Sequence, residues 1–140
     1  MHISAHTPKN RFSEKLALNA YSFGMGGLGL PGDLSSASRF IKAVFTKENS
    51  LCSRNKNSEI SQFFHILSSV SQQRGCVCTI SDHFEFTEYS SCCDLEKIIY
   101  YYKSYENSGI TAVNQFKENI EHTALITYPL LKQNDIKFQN

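Results

Sequence analysis

No stretch of this 140-residue sequence stays apolar for the roughly 18 residues that a helix needs to cross a bilayer. The start has no basic-then-apolar leader, so export through a signal peptide is not expected. Charge of one sign is also missing: fourteen Lys and Arg stand against thirteen Asp and Glu, a net charge of +1 dispersed along the chain. A nucleic-acid surface needs clustered basic groups that displace counterions, so no nucleic-acid partner is expected, and no membrane either. The five cysteines are an odd number and suggest no disulfide framework. Cys76 and Cys78 are one residue apart and Cys92 and Cys93 are adjacent, closer than the gap of about two to four residues between paired zinc thiolates. The expectation is reduced thiols in a cytoplasmic protein, without a metal or cofactor.

What the sequence does hold is enough to fold. Apolar residues make up 41%, with ten Phe and seven Tyr, which argues against a disordered chain. The length suits one domain of about 100–200 residues, and no repeat or linker divides residues 1–140. The segment through Asn19 reads as polar and irregular, and Gly24 to Gly32 as a glycine-rich loop with Pro31. A helix follows, capped by Asp33, Ser35 or Ser36, with Ala37, Phe40, Ile41, Val44 and Phe45 on one face. A second helix starts at Asn57 or Ser58, shows the stripe Ile60, Phe63, Phe64, Leu67 and Val70, and stops at Gly75.

From Phe84 the periodicity changes to that of strands. Phe84–Thr87 alternates, Lys97–Lys103 is rich in β-branched and aromatic residues, Asn107-Ser108-Gly109 is a turn, and Ile110–Val113 begins another strand. Leu125–Tyr128 forms a last strand before Pro129 in this reading. Two helices followed by antiparallel strands give an α+β arrangement.

Several motifs invite chemistry. Gly24-Met25-Gly26-Gly27-Leu28-Gly29 satisfies GxGxxG, yet the helix begins several residues late and no strand precedes the glycines, so a sharply turned loop is the better reading than a nucleotide site. His65 lies between stripe residues and reads as structural. Of Cys92 and Cys93, strand alternation turns one toward a core and the other away. Tyr100-Tyr101-Tyr102 lacks the basic groove of a base-stacking platform and reads as a half-buried strand. Arg39 is the candidate site residue: it follows a glycine-rich turn and borders an apolar stripe, and a permanent positive charge near a thiol favours the nucleophilic thiolate.

The run Gly26-Gly27-Leu28-Gly29-Leu30-Pro31-Gly32-Asp33, followed by Ser38-Arg39-Phe40, resembles the choloylglycine hydrolase family, which includes bile salt hydrolases and penicillin V acylases. Thr7–Phe12, Ser61–Leu67, Tyr89–Cys93, Tyr100–Tyr102 and Tyr105–Asn107 extend the resemblance in order, most closely to bile salt hydrolases. It implies the C-terminal part of an N-terminal-nucleophile hydrolase, an α/β/β/α sandwich. It also implies that Arg39 is an active-site arginine beside the nucleophilic cysteine. No other catalytic position of the family has a counterpart in this sequence.

The chain opens Met1-His2-Ile3-Ser4 and its cysteines are internal, so the resemblance implies a fragment that is inactive alone. Its substrates, once an upstream hydrolase part complements it, would be conjugated bile salts or related amides. Self-association is the other expected way of covering exposed surfaces. The competing reading is a non-catalytic binding or scaffold module built from the same fold, and a third is a longer, active gene product.

Overall fold

The computed structural model describes residues 27, 29–53, 55–80, 82–119, 121, 123–133 and 136–139. The irregular stretch expected through Asn19, the segment Thr7–Phe12, and the glycines Gly24 and Gly26 lie outside the described residues. The chain divides into two compact units, Met1–Leu51 and Cys52–Asn140.

The first unit contains a glycine turn and a helix. Leu30 N–H donates to the Gly27 carbonyl at 3.1 Å, and Gly29 occupies the left-handed region at φ 97°, which an L side chain resists. A Cβ at Gly27 would lie 3.9 Å from the Phe45 ring, so the turn folds close to the helix. That helix, α1, spans Ser36–Asn49 and takes Ser35 as its cap. The Ser35 hydroxyl accepts from Ser38 N–H at 3.3 Å, satisfying one donor that a helix start leaves orphaned. Asp33 reinforces the cap: its Oδ1 accepts from Ser35 N–H at 2.9 Å and its Oδ2 from the Ser38 hydroxyl at 2.6 Å. Of the anticipated apolar stripe, Phe45 is half-buried while Ala37, Phe40, Ile41 and Val44 are exposed, Phe40 at 69%.

In the second unit, α2 spans Lys56–Ser68 and is capped by Asn55, whose side chain accepts from Asn57 N–H at 3.0 Å. The cap lies before the expected Asn57 or Ser58, because Asn55 is extended and already presents its oxygen to the first turn. Nor does Gly75 end the helix. The Ser68 and Ser69 hydroxyls donate to the Phe64 and Ile66 carbonyls at 2.7 Å, and Gln72 N–H is drawn off to Thr87 Oγ1 at 2.9 Å. Gly75, at φ 93°, instead serves the turn that Cys76 N–H closes on the Gln73 carbonyl.

Among the described residues five short strands follow. Val77–Cys78 (β1) and Phe84–Glu85 (β2) form a hairpin, and Tyr89–Asp94 (β3), Ile99–Ser104 (β4) and Thr111–Asn114 (β5) form an antiparallel meander in that order. Lys97 and Ile98 belong to the β3–β4 turn, not to the strand expected over Lys97–Lys103. Asp94 Oδ1 accepts from Glu96 N–H at 3.0 Å and Lys97 N–H at 3.2 Å, forcing the turn. Ile98 is thereby held at φ 51°, an uncommon conformation for a β-branched residue. Leu125–Tyr128 forms no strand; it has no ladder partner among the described residues, and Pro129 has no N–H to donate.

Register divides the meander into two faces. Ser90 with Lys103, Cys92 with Tyr101, and Asp94 with Ile99 share the face that meets α2. Lys103 Nζ donates to Ser68 Oγ at 2.6 Å and lies 5.6 Å from the Phe64 ring centroid, while Lys56 pairs with Glu96 at 2.9 Å and Asp94 at 3.5 Å. The opposite face carries Tyr89, Ser91, Cys93, Tyr100 and Tyr102, with Tyr89 and Tyr100 exposed. Among the described residues, Phe64, at 3% exposure, is the buried apolar side chain on which the unit is centred.

Two predictions follow from these contacts. Truncating a buried Phe typically costs about 3–5 kcal/mol. Phe64→Ala should therefore sharply lower the urea midpoint of the chain, while Phe63→Ala, at an exposed ring, should lower it far less; equal midpoints would contradict a core centred on Phe64. The cap is pH-sensitive. Hydrogen bonds from the Ser35 and Ser38 side chains, and then from the Ser35 N–H, lower the Asp33 carboxyl from 3.8 to about 2. A depressed folded value means that the cap's contribution is complete above pH 3.8 and fades as pH falls through about 2. The Asp33 carboxyl carbon shift should titrate near 2 and return toward 3.8 in Ser38→Ala; a midpoint near 3.8 in the unaltered chain would show that the network does not form.

Candidate active site

Arg39 is the fourth residue of α1, one position beyond the buried Ser38 and shortly after the Gly27–Leu30 turn. Its N–H donates to the Ser35 carbonyl at 3.0 Å, so its backbone belongs to the first complete helical turn. The residue is half-buried, whereas Lys42, three positions on, is exposed. An arginine here carries a fixed positive charge and five donors in a planar fork. Such a group can stabilise a thiolate or an oxyanion without changing its own protonation.

Besides Arg39, the sequence offers Asp33 and Ser35 as caps for this helix, but it does not mark Ser38 as their partner. Asp33, Ser35 and Ser38 form a closed set, completed by a 3.1 Å bond from the Ser35 hydroxyl to the Ser38 hydroxyl. The signal was present as an acidic residue two and five positions ahead of two serines, and three residues competed for the cap.

The remaining candidates separate by environment. His65 is exposed in the last turn of α2. Cys92 is half-buried on the α2 face and Cys93 exposed on the other, as strand alternation requires. Burial first, then neighbouring Cys93 and Asp94, pushes the Cys92 thiol up, away from the thiolate. Among the described residues no three His, Cys, Asp or Glu side chains gather as a metal site. Nor is any described helix long and apolar enough to cross a membrane.

The second unit also has an apolar cleft of about 450 Å³ beside β4 and β5, walled by Tyr101, Val113, Tyr128 and Leu131. At its rim the Tyr128 hydroxyl donates to Glu118, which raises the phenol above its usual range. A smaller cleft of about 230 Å³ includes Arg74, whose guanidinium lies 4.4 Å from the Phe86 ring centroid and 5.0 Å from that of Tyr105. Sequence reasoning does not single out Arg74, since its aromatic partners lie in two separate loops, just past β2 and just past β4.

Against known proteins, the model of the linear amide C–N hydrolases, choloylglycine hydrolase family, matches residues 1–128. A bile salt hydrolase/transferase of Lactiplantibacillus plantarum is 56% identical over 129 residues, covering 91% of this chain and 40% of that protein. The crystal structure of a mutant conjugated bile acid hydrolase from Clostridium perfringens superposes with a TM-score of 0.80 at 34% identity, covering 100% of this chain and 42% of that one. A penicillin V acylase from Agrobacterium tumefaciens shares the fold at a TM-score of 0.54 and 21% identity, over 66% of this chain and 29% of that one. The chain thus spans about 40% of the length of the bile salt hydrolases it resembles. Its two helices and antiparallel strands are an α+β portion of their N-terminal-nucleophile hydrolase fold. On these grounds the chain belongs to the choloylglycine hydrolase family of linear amide hydrolases.

Proposed function

We propose that this chain is the C-terminal part of a bile-salt-hydrolase-like amidase, which when complete releases glycine or taurine from conjugated bile salts. Residues 1–140 are then one partial domain, and Arg39 is the catalytic residue it supplies. The observation that carries the reading is the placement of Arg39, half-buried at the start of a helix behind a glycine turn, within a segment matched by the family.

In the proposed reaction a cysteine thiolate from the upstream part attacks the amide carbonyl carbon. The carbonyl electron pair moves to oxygen, giving a tetrahedral oxyanion. Its collapse breaks the C–N bond, and the amine leaves with the proton that the thiol gave up on ionising. Water then attacks the thioester, freeing the bile acid and the thiol. Arg39 opposes the negative charge that sits first on sulfur and then on oxygen; its guanidinium stays protonated throughout.

On its own the chain is inactive in this reading. Each of its cysteines is within the second unit, and Cys92, the half-buried one, is biased toward the neutral thiol. Free thiols at all five positions suit a reducing, cytoplasmic setting. The exposed Phe40, Ile41 and Val44 of α1 and Tyr89 and Tyr100 of the meander are surfaces for the upstream part to cover, or for self-association.

The purified chain should release no glycine or taurine from conjugated bile salts above a protein-free control; release that a thiol-blocking reagent abolishes would overturn its inactivity alone. The catalytic assignment is tested in a chimera that joins this chain to the upstream part of the Lactiplantibacillus plantarum relative. There Arg39→Ala should lower kcat/KM by about 10²–10³-fold, the usual effect of removing one preorganised oxyanion-stabilising group. Lys42→Ala, at an exposed position, should leave it nearly unchanged. Equal rates for the two variants would remove Arg39 from the site.

A further inference from the structure

We propose that Asp33 is a positioning residue for Arg39: acting through Ser35 and Ser38, it selects where α1 begins and so the direction in which the guanidinium is carried. The inference rests on the role assigned to Arg39 above, but its structural half stands independently.

The sequence offers three competing caps, Asp33, Ser35 and Ser36, within four residues. Each choice starts the helix at a different point. A helix advances about 100° and 1.5 Å per residue, so if the chain ahead of the cap is held fixed, a slip of one residue would swing Arg39 by about 100° around the axis relative to that chain. That is enough to turn a half-buried arginine away from a site.

Asp33 resolves the competition because it has two acceptor oxygens, and each holds a different part of the cap. Oδ1 takes Ser35 N–H at 2.9 Å, which holds the capping residue just outside the helix. Oδ2 takes the Ser38 hydroxyl at 2.6 Å, which ties the first turn to the same carboxylate. The Ser35 hydroxyl donates to the Ser38 hydroxyl at 3.1 Å and accepts Ser38 N–H at 3.3 Å. Arg39 is next in the chain, and its N–H is committed to the Ser35 carbonyl. Ser38 is 6% exposed, so its hydroxyl has little access to water if Asp33 releases it. Asparagine would keep one acceptor oxygen and present an N–H₂ group where the second carboxylate oxygen was.

The test has two arms. In the full chain, amide hydrogen exchange should show Ser38 and Arg39 losing about tenfold or more of their protection in Asp33→Asn, while Phe64 and Tyr101 in the second unit keep theirs. Unchanged exchange at Ser38 and Arg39 would overturn the structural half. In the chimera, Asp33→Asn and Ser38→Ala should lower kcat by about tenfold with KM unchanged, and Ser38→Thr, which retains the hydroxyl, should restore most of the rate. The double variant Asp33→Asn/Arg39→Ala should be no slower than Arg39→Ala alone, because a residue acting only through Arg39 has nothing left to position. Additive losses, or a rise in KM at constant kcat, would overturn the positioning role. If Arg39→Ala itself is fully active, the catalytic reading of Arg39 falls, and the exchange arm alone decides whether Asp33 sets the helix start.

Discussion

The structure depends above all on covering apolar surface that its own elements leave open. A three-stranded sheet with one helix against one face has a second face to bury, and here that face presents Tyr89 and Tyr100 at 59% and 43% exposure. The helix α1 likewise turns Phe40 outward. Aromatic side chains bury about 150–250 Å² each, and apolar burial contributes about 25 cal/mol per Å². A few such residues thus represent several kcal/mol, comparable to the whole stability of an ordinary domain at about 5–15 kcal/mol. The family relation supplies the physical complement: in a sandwich of two facing sheets, each sheet has a helix layer on one side and the other sheet on its second side. The α2 face of the meander is the half of that arrangement completed within the second unit.

What could be read from sequence follows the range of the forces involved. Helical and strand periodicities are local, so α1, α2 and the meander were legible, as was the α+β order. The glycine turn was legible because Gly29 requires a positive φ. Boundaries failed where side chains competed for backbone groups. Asn55 displaced Asn57 as the cap of α2, serine hydroxyls and Thr87 ended that helix well before Gly75, and Asp94 pulled Lys97 and Ile98 out of a strand into a turn. Burial was the least legible property. The stripe Ala37, Phe40, Ile41 and Val44 has the spacing of a packed face, but spacing says nothing about whether a partner is present.

The candidate site divides the same way. Arg39 is a candidate through its place after a glycine turn and through the family pattern, and both signals lie within a few residues of it. Asp33 and Ser35 were open to the same local reading, but only as rival caps; the geometry converts that rivalry into cooperation. Arg74, stacked on Phe86 and Tyr105, was not found because the contact depends on how separate segments meet.

This contrast bears on how an amidase of this kind could distribute its chemistry along the chain. The hydrogen bonds that join Asp33, Ser35 and Ser38 span at most five positions, so this part of the helix start is specified by local sequence. The direction of Arg39 can therefore be set before any long-range contact forms. A nucleophile supplied by a distant segment cannot be placed so, since its distance from the guanidinium depends on two parts of the fold docking correctly. Preorganisation of the positive charge is then a local property, while reactivity belongs to the assembled domain. A charge fixed in advance reorganises little when the oxyanion forms, and electrostatic catalysis depends on that economy of motion. With Arg39 in the proposed role, the aspartate–serine cap belongs to the catalytic design even though none of its atoms need touch the substrate.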